Sequence, residues 1–421
     1  MKRLLIGLFL ACLILSLFII SCGKRDNPVK TRYLFHEVYR SSWRFPSLED
    51  NIRGDLDEAV RDVFVYLPPI YGDEHQPELI SEGFPVLYLL HDFWADYSTF
   101  VSVYKIAQTA DRLIAEGQIQ PMIIVMPDAS SLFLASDLMK KEKGGIFYTN
   151  SILLGQYEDY IIRELAAKID SNFHTFGNKI EEKWVADPGY RAISGLGMGG
   201  YGALKLAMDH DTLFSSVSAM SPFTFFGSFL TRETIDKVFE EHGIDSLDFS
   251  DSSYKSLDLL SDSEHPDKTY SQLIFSMAAA FSPHDPADPD TTNFFTLAVE
   301  GGKNYGVDLP FDSTRTIRDN SPIWEKWLLH DLYAKLTLDH TAFGDLSIYL
   351  ECGDQNEFGL YEGIRAFGLL LSQWGKEHTY IEYSGYQGYP AGHDNFIHDR
   401  LVEILKFHSR NFPPPAYRGA E

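Results

Sequence analysis

The sequence predicts an α/β fold with a mostly parallel central sheet flanked by helices, and three observations predict it. Short apolar runs recur at residues 63–67, 85–90, 122–126, 191–194, 216–220, 346–350 and 380–383, each the length of a buried strand. Amphipathic helical patterns lie between them, the alternation that builds parallel sheets. A glycine cluster at 195–202 joins one such run directly to one such helix.

The helical patterns are explicit. Tyr157, Ile161, Leu165 and Ile169 recur every four residues, with Glu158, Asp159, Arg163 and Lys168 off that face. Ala203, Leu204, Ala207 and Met208 repeat the pattern after the glycine cluster, and residues 361–374 carry another. Strand, tight glycine turn and helix stand in the order that lifts a nucleophile above a sheet. Residues 222–345 break the rhythm: they are rich in Asp, Ser and Pro and contain Phe223, Phe225, Phe226, Phe229, Trp324 and Trp327. A connection this long is usually functional or carries its own structure, and it is read as a partly helical cap insertion.

Of 421 residues, 44% are apolar and 14% aromatic, enough to bury one large core. Sixty acidic against 36 basic residues leave a formal charge of -24, and no basic stripe interrupts it, which argues against a nucleic-acid partner. At the N-terminus, Lys2 and Arg3 precede an apolar run from Leu4 to Ile20, followed by Ser21-Cys22-Gly23. This resembles a bacterial lipobox. Residues 1–21 are then a lipoprotein signal peptide, Cys22 the lipidation site, and 22–54 a tether with an irregular lead-in to a domain at 55–421. A plain signal anchor is the other reading. Both put the domain in the cell envelope outside the cytoplasm, and a lipid at Cys22 would hold it to a membrane. With Cys12 in the signal and Cys22 lipidated, Cys352 is left alone in the domain, so no disulfide within it is expected.

The turn Ser194-Gly195-Leu196-Gly197-Met198-Gly199-Gly200-Tyr201-Gly202 resembles the nucleophile elbow of the esterase family that includes S-formylglutathione hydrolases, feruloyl esterases and enterochelin esterases. The resemblance extends through 61–71 (RDVFVYLPPIY), 86–92 (VLYLLHD), 122–128 (MIIVMPD), 147–151 (FYTNS), 157–170 and 201–220, and ends with Glu351-Cys352-Gly353 and Gly392-His393-Asp394. It covers roughly residues 55–405 and implies an α/β-hydrolase fold.

The resemblance also implies a catalytic triad, and this chain departs from it. The family elbow reads G-x-S-x-G, and Gly197 stands in the serine slot. Glycine offers no side chain to form an acyl-enzyme. In subtilisin, loss of the nucleophile lowers kcat by about 10⁶-fold. Glycine also relieves the backbone strain that an elbow imposes on other residues. The family's acid follows G-x-x-D-x-F, whereas Gly353-Asp354-Gln355-Asn356-Glu357-Phe358 puts Asn356 there, and Asp354 or Glu357 serves only in another register. In trypsin, Asp to Asn lowers kcat about 10⁴-fold by favouring the wrong tautomer of the histidine. His393 matches the family's loop histidine. Where relatives read HGxxG, the chain has His91-Asp92-Phe93-Trp94-Ala95; the N–H groups of Phe93 and Met198 could still form an oxyanion hole, which an inward-facing Asp92 would oppose.

Other groups are weaker candidates. Ser194 and Ser221 are alternative hydroxyls, and Cys352 could be imagined with His393 and Asn356, although a free cysteine at a strand end belongs in the core. Asp285, Asp288 and Asp290 lack the spacing of a calcium loop and are read as a solvated loop. No metal and no cofactor is expected. The leading expectation is an esterase-like domain without serine-esterase activity that binds a small ester-like or saccharide ligand, or a partner. The alternative is an active carboxylesterase or acyl hydrolase with a non-standard nucleophile or a water activated by His393.

Overall fold

All seven apolar runs form strands of one eight-stranded sheet. In a computed structural model, residues 37–54, 59–71, 83–131, 144–180, 183–241, 269–288, 294–312 and 314–414 are described. The expected signal segment, Cys22 and Asp290 lie outside them. The strands are β1 (Glu37–Arg44), β2 (Val60–Leu67), β3 (Val86–Leu90), β4 (Ile123–Pro127), β5 (Arg191–Leu196), β6 (Ser216–Met220), β7 (Ser347–Gly353) and β8 (His378–Tyr383). Their order across the sheet is β1-β2-β4-β3-β5-β6-β7-β8. β2 is antiparallel to both its neighbours, and the remaining pairs are parallel. Strands β3 to β6 are buried throughout, which is why they read as continuous apolar runs.

β1 corrects one expectation. Residues 37–44 fall in the stretch read as tether, yet they pair with the whole length of β2. As an edge strand whose residues are half-buried or exposed throughout, β1 has no apolar face to announce it.

Helices cover both faces. On one, α1 (Ile106–Ala115) and α9 (Ile397–Asn411) pack through Ala107, Ala110, Leu401 and Ile404 onto Leu87, Leu89 and Ile124. On the other lie α2 (157–172, wound as a π-helix over Tyr160–Leu165), α3 (Met198–Asp209) and α8 (Leu360–Gln373). Between β6 and β7, the region expected as a cap contributes α4 (Arg232–Glu240), α5 (Thr269–Phe281), α6 (Pro322–Leu328) and α7 (Leu332–Leu338), with antiparallel strands Phe294–Glu300 and Lys303–Asp308. Its Phe226 and Phe281 pack on Tyr201 of α3 and Trp327 packs on both of them, so this region shares the main core. Among the described residues, no helix is long and apolar enough to cross a membrane.

Buried polar ties fix the layers to one another. Arg191 pairs with Asp170 at 2.6 Å, and Arg400 of α9 pairs with Glu351 of β7 at 2.6 Å. Breaking such a pair from one side strands a buried charge and costs about 3–5 kcal/mol. His408 of α9 lies fully buried between the hydroxyls of Ser216 and Ser218, each at 2.8 Å. Burial pushes His408 down to about 3, and burial, with Lys205 and Lys335 nearby, does the same to His330. Asp331 goes the other way, pushed up to about 6 by burial.

These shifts set the pH response. The two histidines take up protons in the unfolded chain near their ordinary value of 6.5 but resist them in the fold, so their effect is a loss of stability as pH falls from 6.5 toward 3. Asp331, which holds its proton more tightly when folded, offsets part of this between about 6 and 3.8. The melting temperature is therefore expected to drop between pH 7 and pH 5, and His408→Gln to flatten that slope. Calorimetry showing equal stability at both values would contradict the assignment.

Candidate active site

The site forms at the carboxyl ends of β3, β5, β7 and β8, where loops leave a parallel sheet and ligands bind in such folds. Gly197 makes the turn between β5 and α3 with φ 53° and ψ -112°, a conformation that strains any residue with a Cβ. Its N–H donates to the Met220 carbonyl at 2.8 Å, and its own carbonyl accepts from Tyr201 at 2.9 Å, so the turn is held from both sides. Gly199 completes the elbow because a Cβ there would overlap the backbone carbonyls at the end of β3.

The space above Gly197 is filled. A Cβ added at this glycine would fall inside the Asp92 carboxylate, 2.5 Å from Cγ and 2.7 Å from Oδ2, and closer still to Oδ1. Asp92 does face inward. Its Oδ1 accepts hydrogen bonds from the N–H groups of Phe93 at 2.7 Å and Met198 at 2.9 Å, the two donors expected to form an oxyanion hole. Its Oδ2 lies 2.8 Å from Nε2 of His393. Burial alone would push the Asp92 carboxyl up, but His393 and the two N–H groups outweigh it and hold the carboxyl below its ordinary value. The group is therefore an anion in a two-donor hole at the start of a helix, where the aligned peptide dipoles also favour negative charge.

The structure brings Asn356 and His393 together. The Asn356 carbonyl oxygen accepts from the N–H of Phe358 at 3.0 Å, which turns its amide nitrogen toward the ring and lets it donate to His393 Nδ1 at 3.1 Å. With Nδ1 accepting, the ring proton sits on Nε2 and is donated to Asp92. Hydrogen bonds thus run from Asn356 through His393 to Asp92. In a serine triad the acid receives the Nδ1 proton and Nε2 accepts from the nucleophile; here both directions are reversed.

Several supports were not legible in the sequence. Arg400 donates to the His393 carbonyl at 2.7 Å and to Ser221 Oγ at 2.9 Å, which ties the histidine loop to β6. Its signal was an arginine on the apolar face of α9. His91 holds the Asp92 backbone: its Nδ1 donates to the Asp92 carbonyl at 2.8 Å while Nε2 accepts from Ala129 N–H at 2.9 Å. Phe358 packs edge-on against the His393 ring at 5.3 Å, and Trp94 lies beyond it. Trp94 is stacked on Phe358 at 5.8 Å, and its indole N–H reaches Gln272 of α5 at 3.4 Å.

The alternative candidates lie elsewhere or are engaged. Glu357 accepts the backbone N–H of His393 at 2.8 Å and so holds the loop, while Asp354 accepts from Ser384 Oγ at 2.6 Å. Ser194 is sealed in the sheet, receiving a hydrogen bond from Ser218 at 2.7 Å. Cys352 is fully buried, and burial pushes its thiol up to about 12, the opposite of an activated nucleophile. Asp285 and Asp288 lie in the insertion, and among the described residues no group of three His, Cys, Asp or Glu is placed to hold a metal ion.

Sheet order, elbow and histidine loop together define an α/β-hydrolase. The sequence matches the Putative esterase family over residues 58–399, and the chain belongs to that family. Over 161 residues it is 30% identical to an endo-1,4-beta-xylanase/feruloyl esterase of Xylanibacter ruminicola, a stretch that is 38% of this chain and 19% of that longer protein. Among solved structures, an S-formylglutathione hydrolase from Agrobacterium tumefaciens is similar with a TM-score of 0.50 and 16% identity, over 90% of this chain and 95% of that one. A fluorophosphonate-binding serine hydrolase of Staphylococcus aureus gives 0.50 and 14%, over 89% and 98%. At such identities the likeness is one of fold.

The overlap at Gly197 makes two positions interdependent. Gly197→Ser alone should destabilise the protein by about 2–5 kcal/mol, combining left-handed strain with overpacking against Asp92. Adding Asp92→Gly should recover about 1–3 kcal/mol of that by emptying the contested space. Urea denaturation of the four proteins in the cycle measures the coupling, and simple additivity would show that the two side chains do not compete. Separately, long-range ¹⁵N NMR of His393 should report the Nε2–H tautomer; an Nδ1–H form would reverse the hydrogen-bond order given above.

Proposed function

We propose that this chain is an envelope lipoprotein, anchored through Cys22, whose esterase-like domain binds a ligand or partner without serine hydrolysis. In this reading Gly197 occupies the place where relatives carry the catalytic serine, and Asn356 that of the catalytic aspartate. The observation that carries it is the Asp92 carboxylate, which takes up both the volume of a nucleophile side chain at Gly197 and the two N–H groups that would stabilise an oxyanion. A transition state that develops negative charge at this point would meet a fixed negative charge instead.

The hydrogen-bond order supports the same reading. A histidine that activates water must accept its proton, and Nε2 of His393 is already donating to Asp92. The name of the Xylanibacter ruminicola relative suggests an acylated saccharide as the ligand class, and the chain's charge of -24 disfavours polyanions.

The wild-type domain is expected to show no fluorophosphonate labelling and p-nitrophenyl acetate turnover at background, at least about 10⁴-fold below the roughly 10 s⁻¹ typical of enzymes. The triple variant Asp92→Gly/Gly197→Ser/Asn356→Asp should gain labelling at the new serine, because each change removes one obstacle. Robust wild-type hydrolysis that disappears in His393→Ala would overturn the proposal.

A further inference from the structure

An oxyanion hole normally binds a single oxygen transiently, but here the same donors hold a complete carboxylate at rest. Oxygen Oδ1 takes the Phe93 and Met198 N–H groups, and Oδ2 takes the His393 Nε2–H, at 2.7, 2.9 and 2.8 Å. The three donors come from the loop after β3, the first turn of α3 and the loop after β8, and each is fixed independently. Gly197 is anchored on Met220, His393 is clamped by Arg400, Glu357 and Asn356, and Phe93 is packed against Phe147. The receptor therefore does not need Asp92 in order to hold its shape.

We infer that the centre is a carboxylate receptor carrying its own tethered ligand, and that removing the Asp92 side chain opens a binding site for small free carboxylates. The inference rests on the filled-hole reading above, although it does not depend on whether the chain hydrolyses esters. The chemistry is specific: a planar two-oxygen anion matches donors on two sides, whereas a spherical anion can satisfy one side at a time. The way in is short, since 11% of the Asp92 side chain is exposed and the neighbouring Trp94 is 39% exposed. In the wild-type protein a free carboxylate competes with one held in place by the chain, whose effective concentration far exceeds millimolar. Asp92 is thus an autoinhibitory contact, one that keeps the receptor closed to carboxylate ligands.

The test compares wild type with Asp92→Gly in sodium formate, sodium acetate or sodium chloride at equal ionic strength, each at about 100 mM. Formate and acetate should raise the melting temperature of the variant by about 1–3 °C relative to chloride, with a saturable dependence, and leave the wild type within about 0.5 °C. His393→Ala in the Asp92→Gly background should weaken the formate effect about tenfold. Equal shifts in formate and chloride would overturn the inference while leaving the absence of hydrolysis untouched. Fluorophosphonate labelling of the wild type would do the reverse. Should Asp92→Gly fail to fold in chloride, its refolding yield in formate decides: recovery supports a vacated carboxylate site, and failure in both salts, with Asp92→Ser behaving alike, counts against it.

Discussion

The site is organised around one buried anion, the Asp92 carboxylate, which takes up three N–H donors that three segments of the chain hold in place. Burying a carboxylate is unfavourable by several kcal/mol unless it is fully hydrogen-bonded. Here the bonds exist because the elbow, the loop after β3 and the histidine loop already converge in this family's fold. The fold supplies a pocket of oriented dipoles, and the sequence places a charge of the opposite sign within it. Each neighbouring feature then has a physical reason: the Nε2 proton of His393 faces Asp92, the amide of Asn356 faces Nδ1, and Gly197 leaves the volume free.

Much of this could be read from the residues. Continuous apolar runs marked the buried strands because both of their faces are covered, and the four-residue repeat in 157–172 marked a helix whose π-wound middle the pattern could not reveal. The elbow showed in its glycines, and Asn356, His393 and the N–H donors of Phe93 and Met198 were picked out only because the short motifs around them resemble those of a known family. The direction of the Asp92 side chain was not legible. It depends on a rotation at one residue and on space left empty by another more than a hundred positions away, and neither appears in any local pattern. β1 escaped for a different reason, since an edge strand with little burial has no periodic signature.

The insertion between β6 and β7 bears on the site through contacts rather than through catalytic groups. Gln272 of α5 reaches Trp94, and Tyr270 donates to the Glu357 carbonyl, so the inserted helices are tied to the loops that carry Asp92 and Asn356. The same helices are bound into the main core through Phe281 and Trp327. Trp94 and Gln272 therefore adjoin helices whose described aromatic side chains belong to the same core as the sheet.

The shared volume at Gly197 and Asp92 also constrains how the two positions can vary. A side chain at 197 and the inward carboxylate exclude each other, so a larger residue can enter at 197 only after the carboxylate has left. That fixed order makes the present arrangement a ratchet: each adjustment that settles around the lodged carboxylate adds a step before position 197 can accept anything larger than hydrogen.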